Sequence, residues 1–393
     1  MDFWSTPLHM DRFAFTDDAP GRLVELIVDG QKDWAFIPDP LPQRWTVPEG
    51  LWPLIADARE ALARLDGIGR TMQNYELLLK PLQRREAVRS SSLEGTYTTA
   101  KQLLMFEIDP KQPTSIQDPV SASQEVANYG KALDLGFSFL EEGHSLSANL
   151  IRQMHQILLD GVRGARKEPG RFRRVQVHIG SDKRYVPPPV YEIEPCLRLL
   201  ETQVQSPPED IQPLIFCFMV HYQFEAIHPF TDGNGRVGRL LLSLMIYRLC
   251  GLSKPWLYLS AFFEKYKSEY TSSLFQISTE GNWFDWLSFC LRGTIEQSKD
   301  AIVRFEALLK LRRQYMRLLD ERGGSIRLNR LIEHLFKSPV ISVPYHGIMC
   351  DISYKTARQD IDKLIESGIL TESENNTRPR FFFAPGIIEL IFD

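Results

Sequence analysis

Apolar residues recur at helical spacing through most of the chain. Leu54, Ile55, Ala58, Ala61, Leu62 and Leu65 repeat every three to four positions after Pro53, and Asp66-Gly67 is expected to close that helix. A second helical stretch runs from about Asn74 to Leu93, with Leu77, Leu78, Leu79 and Leu82 apolar; Pro81, which lacks an N–H, predicts a break in it. Residues 106–124, with Pro110, Pro113 and Pro119, read as a linker, and Ser121 or Ser123 is expected to cap a helix from about Gln124 to Leu140. Ser145 to Leu159 repeats the pattern. The continuous apolar runs Leu214 to Val220 and Leu240 to Tyr247 predict two helices buried on every side. Another helix opens at Tyr266, while Trp283, Trp286 and Phe289 read as core. A long charged helical stretch from about Thr294 to Glu321 then leads to a boundary at Gly323-Gly324.

Two regions depart from helical spacing. Residues 1–50 are proline-rich with little periodicity and read as a strand-and-loop arm packed on the body. Val175, Val177 and Ile179 alternate before a Gly180–Lys183 turn and Tyr185-Val186-Pro187-Pro188-Pro189, which predicts a β-hairpin with an edge strand. Past residue 325 come helices over Leu328 to Phe336, Tyr345 to Cys350 and Tyr354 to Glu366, with Asp351-Ile352-Ser353 as a turn. Ile369-Leu370 and Arg380-Phe381-Phe382-Phe383 then flank a polar loop, and that order is similar to a winged helix.

Composition narrows the class without choosing a function. The 393 residues are 43% hydrophobic and 24% charged with a net charge of −4, ordinary for a globular chain with room for two or three domains. Mild acidity gives no sign of general affinity for nucleic acid or anionic membranes. The five cysteines are scattered with no CxxC pair, so a reducing, cytoplasmic setting fits. The N-terminus lacks a signal-peptide core, and no apolar run approaches the roughly 20 residues needed to span a bilayer.

The chemistry lies between the two apolar runs, in His228-Pro229-Phe230-Thr231-Asp232-Gly233-Asn234-Gly235-Arg236-Val237-Gly238-Arg239. Gly233 and Gly235 allow a tight loop whose N–H groups converge at a helix N-terminus, which makes an anion site. Arg236 and Arg239, three apart, can reach the same phosphates. Asp232 offers a hard oxygen to Mg2+ riding on those phosphates, and a neutral His228 can take a proton from an attacking hydroxyl.

This ordered string resembles the signature of Fic-domain proteins, His-x-Phe-x-(Asp/Glu)-Gly-Asn-Gly-Arg-x-x-Arg, at every fixed position. Ser90-Ser91-Ser92-Leu93-Glu94-Gly95 likewise resembles the (Ser/Thr)-x-x-x-Glu-(Gly/Asn) element of autoinhibited members, within a stretch from Asn74 to Thr96 that is similar to the Fic N-terminal region. The resemblance implies a mainly α, Fic-type helical bundle with a β-hairpin flap and a C-terminal winged-helix domain. Residues 1–105 would form the N-terminal region, with the inhibitory helix around 86–95. Residues 106–295 would be the catalytic core, with its motif at 228–239 and its flap at about 174–188; 296–324 would be a connecting helix and 325–393 the winged helix.

The implied reaction moves AMP from Mg-ATP to a Tyr, Thr or Ser hydroxyl of a target protein, itself included. His228 would be the base and Asp232 the Mg2+ ligand. Gly233, Asn234, Gly235, Arg236, Val237, Gly238 and Arg239 would cradle the nucleotide, with Ser90, Glu94 and Gly95 as the inhibitory element, Glu94 pairing with Arg239. Val177, Ile179 and Gly180 would dock the target as an added strand. Tyr270 matches an aromatic at the nucleotide base, but Thr271 stands where many members have a second tyrosine, so base contact and plain packing both stay open for Tyr270. Rival readings are removal of AMP with Glu94 orienting water, another phosphate-linked transfer, and a nucleotide-sensing transcription regulator. For the C-terminal unit, Tyr354, Lys355, Thr356, Arg358 and Gln359 would begin a recognition helix. Its eight Lys/Arg against nine Asp/Glu do not favour DNA, and protein docking or support of a homodimer is the other use.

Overall fold

The computed structural model describes all residues except 1–9, 29, 73, 116–117, 163–166, 181–183, 322–324 and 374–378. Parts of the expected N-terminal arm, the Gly180–Lys183 turn, the Gly323-Gly324 boundary and the polar loop before Arg380 therefore lie outside the described residues.

The chain begins with an antiparallel hairpin, β1 (Gly21–Val28) and β2 (Gln31–Pro38). Helix α1 (Trp52–Arg70) follows and packs along α11. Asp66-Gly67 does not close it. Leu65 and Asp66 are buried, and Gly69 lets the helix lie against Trp256, whose ring would be 2.3 Å from a Cβ at that position. Helix α2 (Glu76–Leu93) also runs on where a break was expected, with Pro81 inside it. Burial of Leu77, Leu78, Leu79, Leu82 and Ala87 offsets the roughly 3 kcal/mol that an interior proline costs.

The expected linker is partly helical. Thr99 and Gln102 form a capping box that starts α3 (Ala100–Ile108), and α4 (Pro119–Glu141) begins at Pro119 with Asp118, not a serine, as its cap. Helix α5 (Ala148–Leu158) is capped by Ser147, and α6 (Val190–Gln205) precedes the central pair α7 (Pro213–Ile227) and α8 (Asn234–Leu249). Both apolar runs fall in this antiparallel pair, enclosed by α4, α5, α6, α10 and α11. Short α9 (Ser260–Lys265) and α10 (Lys267–Glu280) lead to the 38-residue α11 (Trp283–Asp320), which begins well before the charged stretch that signalled it. Trp286 and Phe289 are fully buried, and Trp283 is half-buried.

The last unit is α12 (Ile326–Lys337), β3 (Val340–Ser342), α13 (Val343–Cys350), α14 (Tyr354–Glu366), β4 (Thr371–Glu372), β5 (Phe381–Phe383) and an unforeseen α15 (Pro385–Phe392). Its sheet has the order β3-β5-β4, all antiparallel. Helices α12 and α15 pack on α2, whose other neighbours are α4, α8, α9 and α11. Among the described residues no helix is long and apolar enough to cross a membrane.

Candidate active site

The loop between α7 and α8 is built largely from its own residues. Helix α7 ends on His228, whose φ of 49° is left-handed and costly for a residue with a Cβ. Asn234 closes the loop with two 2.8 Å bonds: its Oδ1 accepts from Phe230 N and its Nδ2 donates to Phe230 O. Gly233, at φ 82°, makes the turn into α8. Phe230 is buried and stacks on His155 at 3.7 Å between ring centres. Nδ1 of His155 accepts from Gly170 N at 2.9 Å, so its Nε2–H donates to Asp232 O, also at 2.9 Å.

Buried Arg173 braces the strained turn from outside. Its Nε donates to His228 O and its backbone N to Pro229 O, both at 2.9 Å, while its other guanidinium nitrogens bind Val175 O and Pro188 O. The flap segment and the loop are thus fastened by one side chain. The flap itself is not the regular hairpin expected: among the described residues its antiparallel pairing is the single bridge Ile179–Tyr185. The three prolines at 187–189 cannot donate to a ladder. Instead Val186 O accepts from Phe36 N of β2 at 2.9 Å, so the N-terminal hairpin supports this segment.

His228 opens onto a cavity of about 660 Å³, across which lie Gly235 and Arg239 of α8, Glu94 at the end of α2, and Tyr270 of α10. Arg239 is 2% exposed and fully engaged by α2: its Nε donates to Ser90 Oγ at 2.8 Å, and its Nη2 to Ser90 O at 2.9 Å and Glu94 Oε1 at 2.8 Å. Glu94 caps α2, Gly95 follows at φ 79°, and the Glu94 carboxylate lies so close to Gly235 that a Cβ there would sit 2.3 Å from Oε1. The carboxylate therefore lies against the first turn of α8, beside Arg239.

The other expected residues divide. Ile179 and Gly180 line the cavity, and Val177 is not among its lining residues. Tyr270 lines it too, although its hydroxyl is spent on His221 Nε2 at 2.9 Å, with His221 Nδ1 donating to Gly238 O at 3.1 Å. Thr271 is also on the wall. Arg236 is turned away into the core, paired with Glu125 of α4, and its Nη2 is 3.7 Å from the Asp232 carboxylate. Val237 is buried, and Gly238 packs against Glu225, whose Oε1 would be 2.2 Å from a Cβ at 238. Among the described residues no cluster of three His, Cys, Asp or Glu side chains could hold a metal.

The electrostatics follow from this enclosure. Burial, reinforced by the charge of Arg173, pushes the His228 pKa down to about 4, so the imidazole is neutral near pH 7. Its Nδ1 faces Glu225 O at 3.4 Å, which leaves Nε2 as the free acceptor. Burial opposes ionisation of Glu94, but Arg239 outweighs it and holds the carboxyl below the ordinary range. Burial pushes Glu225, which also lines the cavity, up to about 7; its Oε1 has no hydrogen-bond partner among the described residues. Arg173, His155, His221, Glu125 and Glu225 were not foreseen. A Phe-Glu pair three residues before His228 was the one visible hint, for Glu225.

Residues 52–138 match the model of the Fic/DOC family N-terminal region and residues 145–246 that of the Fic/DOC family. Similar curated proteins include protein adenylyltransferase Fic of Nematostella vectensis, 31% identical over 126 residues, covering 32% of this chain and 28% of that protein. Protein adenylyltransferase fic-1 of Caenorhabditis elegans is 34% identical over 116 residues, covering 29% and 22%. The chain thus spans about a quarter of the length of these relatives. Among solved structures, a Fic family protein from Desulfovibrio desulfuricans G20 superposes with a TM-score of 0.56 at 18% identity, covering 88% of this chain and 98% of that one. Fic-1 of C. elegans superposes with a TM-score of 0.51 at 21% identity, covering 65% and 74%. These likenesses establish a shared fold.

Proposed function

The chain belongs to the Fic/DOC family through residues 52–138 and 145–246, and from that premise we propose that it is a protein adenylyltransferase restrained by its own Glu94. The observation that carries the reading is a neutral His228 and the doubly anchored Arg239 facing one cavity of about 660 Å³ across a glycine turn. The curated relatives' names support the same chemistry.

In this reaction a target hydroxyl attacks the α-phosphorus of ATP. The oxygen–phosphorus bond to the target forms as the bond to the β-phosphate oxygen breaks, and pyrophosphate leaves. His228 Nε2 takes the hydroxyl proton. Arg239 and the N–H groups at the start of α8 offset the charge that grows on the phosphates. Arg236, buried against Glu125, adds positive charge behind the loop and holds α8 to α4. Mg2+ fits as an ion bound mainly by phosphate oxygens and water, since no cluster of three metal-binding side chains stands among the described residues, and Asp232, at the edge of the loop and outside the cavity lining, is the carboxylate that would hold it. Bound, the ion would neutralise phosphate charge.

Glu94 restrains the reaction by lying beside Arg239 against the first turn of α8. A γ-phosphate cannot share Arg239 and the α8 N-terminus with a carboxylate, so ATP seated beside it is turned from the line of attack. Incubation with α-labelled ATP tests the reading. Label should appear on protein and rise strongly with Glu94→Gly; transfer from γ-labelled ATP instead would replace it with kinase chemistry.

For residues 325–393 the order of elements supports a winged helix used for protein docking rather than DNA. Arg358, at the start of α14, is tied to Asp362 at 2.8 Å and lies over Phe382, while Ile348 and Tyr354 are exposed at 82% and 66%. A tight, sequence-selective complex of the full chain with duplex DNA would overturn that assignment.

A further inference from the structure

The last four carbonyls of a helix have no partner within it and must find one elsewhere. In α2 each does. Ser90 O accepts from Arg239 Nη2 at 2.9 Å. Ser91 O accepts from Glu94 N at 3.1 Å and Thr96 N at 3.0 Å, and Ser92 O from Gly95 N at 2.9 Å. Leu93 O, the final one, accepts from Lys267 Nζ at 2.6 Å. Two of the four are therefore held by cationic side chains from other helices, and both cations, Arg239 and Lys267, line the same cavity.

Lys267 differs from Arg239 in how firmly it is held. Arg239 is buried and makes three bonds to α2. Lys267 is exposed at the first position of α10, on a flexible four-carbon stem, and among the described residues the hydrogen bond of its ammonium is to Leu93 O. An ammonium bound to a neutral carbonyl gains when it exchanges that acceptor for a phosphate oxygen, because both partners are then charged. The body of α2 cannot follow such a change: Glu86 is locked in the core by Tyr129 Oη at 2.9 Å and by Ser260 Oγ at 2.6 Å. A response to such an exchange falls on the last turn, from Leu93 to Gly95, which carries both the Leu93 carbonyl and Glu94.

We propose that Lys267 is a further nucleotide-binding residue of this cavity, which exchanges the Leu93 carbonyl for a phosphate oxygen and thereby loosens the turn that carries Glu94. This rests on the nucleotide reading of the cavity and adds to it a residue outside the 228–239 loop. Binding of the polyphosphate and release of Glu94 then share one side chain: each Lys267–phosphate contact leaves a helix-terminal carbonyl uncapped, next to the carboxylate that competes for Arg239.

The test uses the full chain carrying Glu94→Gly, with Mg-ATP, AMP and adenosine titrated by calorimetry. Adding Lys267→Ala should weaken ATP binding about tenfold, the worth of one charge-assisted bond, and leave adenosine unchanged, with Lys267→Arg restoring most of the loss. In the chain that keeps Glu94, Lys267→Ala without nucleotide should speed hydrogen exchange at the amides of residues 94–96. Equal ATP affinity with and without Lys267 overturns the proposal and leaves Lys267 a plain helix cap, while the nucleotide reading stands. An equal loss for ATP and adenosine also overturns it. A parent protein that binds none of the three ligands overturns both the proposal and the reading beneath it.

Discussion

Arg239 binds Ser90 twice, through the hydroxyl at 2.8 Å and the carbonyl at 2.9 Å, as well as binding Glu94. Two of the three bonds that fix this guanidinium therefore survive loss of the glutamate, and the arginine stays aimed at the cavity.

Removal of Glu94 should consequently free a formed site rather than collapse one. Glu94→Gly is expected to raise protein labelling from α-labelled ATP by about ten- to a hundredfold, the range of ordinary coupling energies. Ser90→Ala removes one neutral acceptor from Arg239 and should lower the labelling of that variant only a few-fold. If Ser90→Ala in the Glu94→Gly chain abolishes labelling, Arg239 is not held in the way described.

His228 should matter for turnover and little for binding. In the Glu94→Gly chain, His228→Ala is expected to cut transfer by roughly 10²–10⁴-fold, the usual worth of a general base, with ATP affinity nearly unchanged. A comparable loss of ATP affinity would make His228 a binding residue instead.

Arg173 should be a structural keystone of the turn. Replacing it by methionine leaves the carbonyls of His228, Val175 and Pro188 without their donor. We expect a loss of about 2–4 kcal/mol in urea unfolding, together with lost transfer. Unchanged stability would mean that water replaces the guanidinium at little cost.

Acid should destabilise the fold before the carboxylates titrate. Burial lowers His155, His228 and His334 to about 4 and His221 to about 3, against an unfolded value near 6.5. Between pH 6.5 and about 4 the unfolded chain binds protons that the folded chain refuses, so stability is fully present above pH 6.5 and falls as pH drops. Glu225, raised to about 7, works in the opposite direction between about 4.5 and 7, and Glu86, which burial also raises, adds to it, two groups against four. Thermal melts from pH 7 to 4.5 should shift steadily downward, and more steeply with Glu225→Gln. A flat profile would show that these imidazoles are hydrated or charged in the fold.

Several local signals were readable and some were misread. The Thr99–Gln102 capping box is a local signal for α3, which runs on to Ile108 and so into the first residues of the expected linker at 106–124. Pro81 and Asp66-Gly67 are local breakers, and burial of neighbouring side chains overrode both.

The sequence by itself determined the 228–239 loop, because that loop closes through contacts four residues apart, Asn234 to Phe230, and through glycine torsions. It also determined that Ser90 and Glu94 end a helix on one face. Only the tertiary structure decided which arginine meets the cavity. Arg236 and Arg239 are equivalent in spacing, and the difference comes from Glu125 on α4, 111 residues away, which draws one into the core, and from α2, which holds the other at the cavity wall. The same holds for the bonds from Lys267 to Leu93 O and from Arg173 to His228 O, both carbonyls distant in sequence: a backbone acceptor carries no residue-type signature, so packing alone selects it.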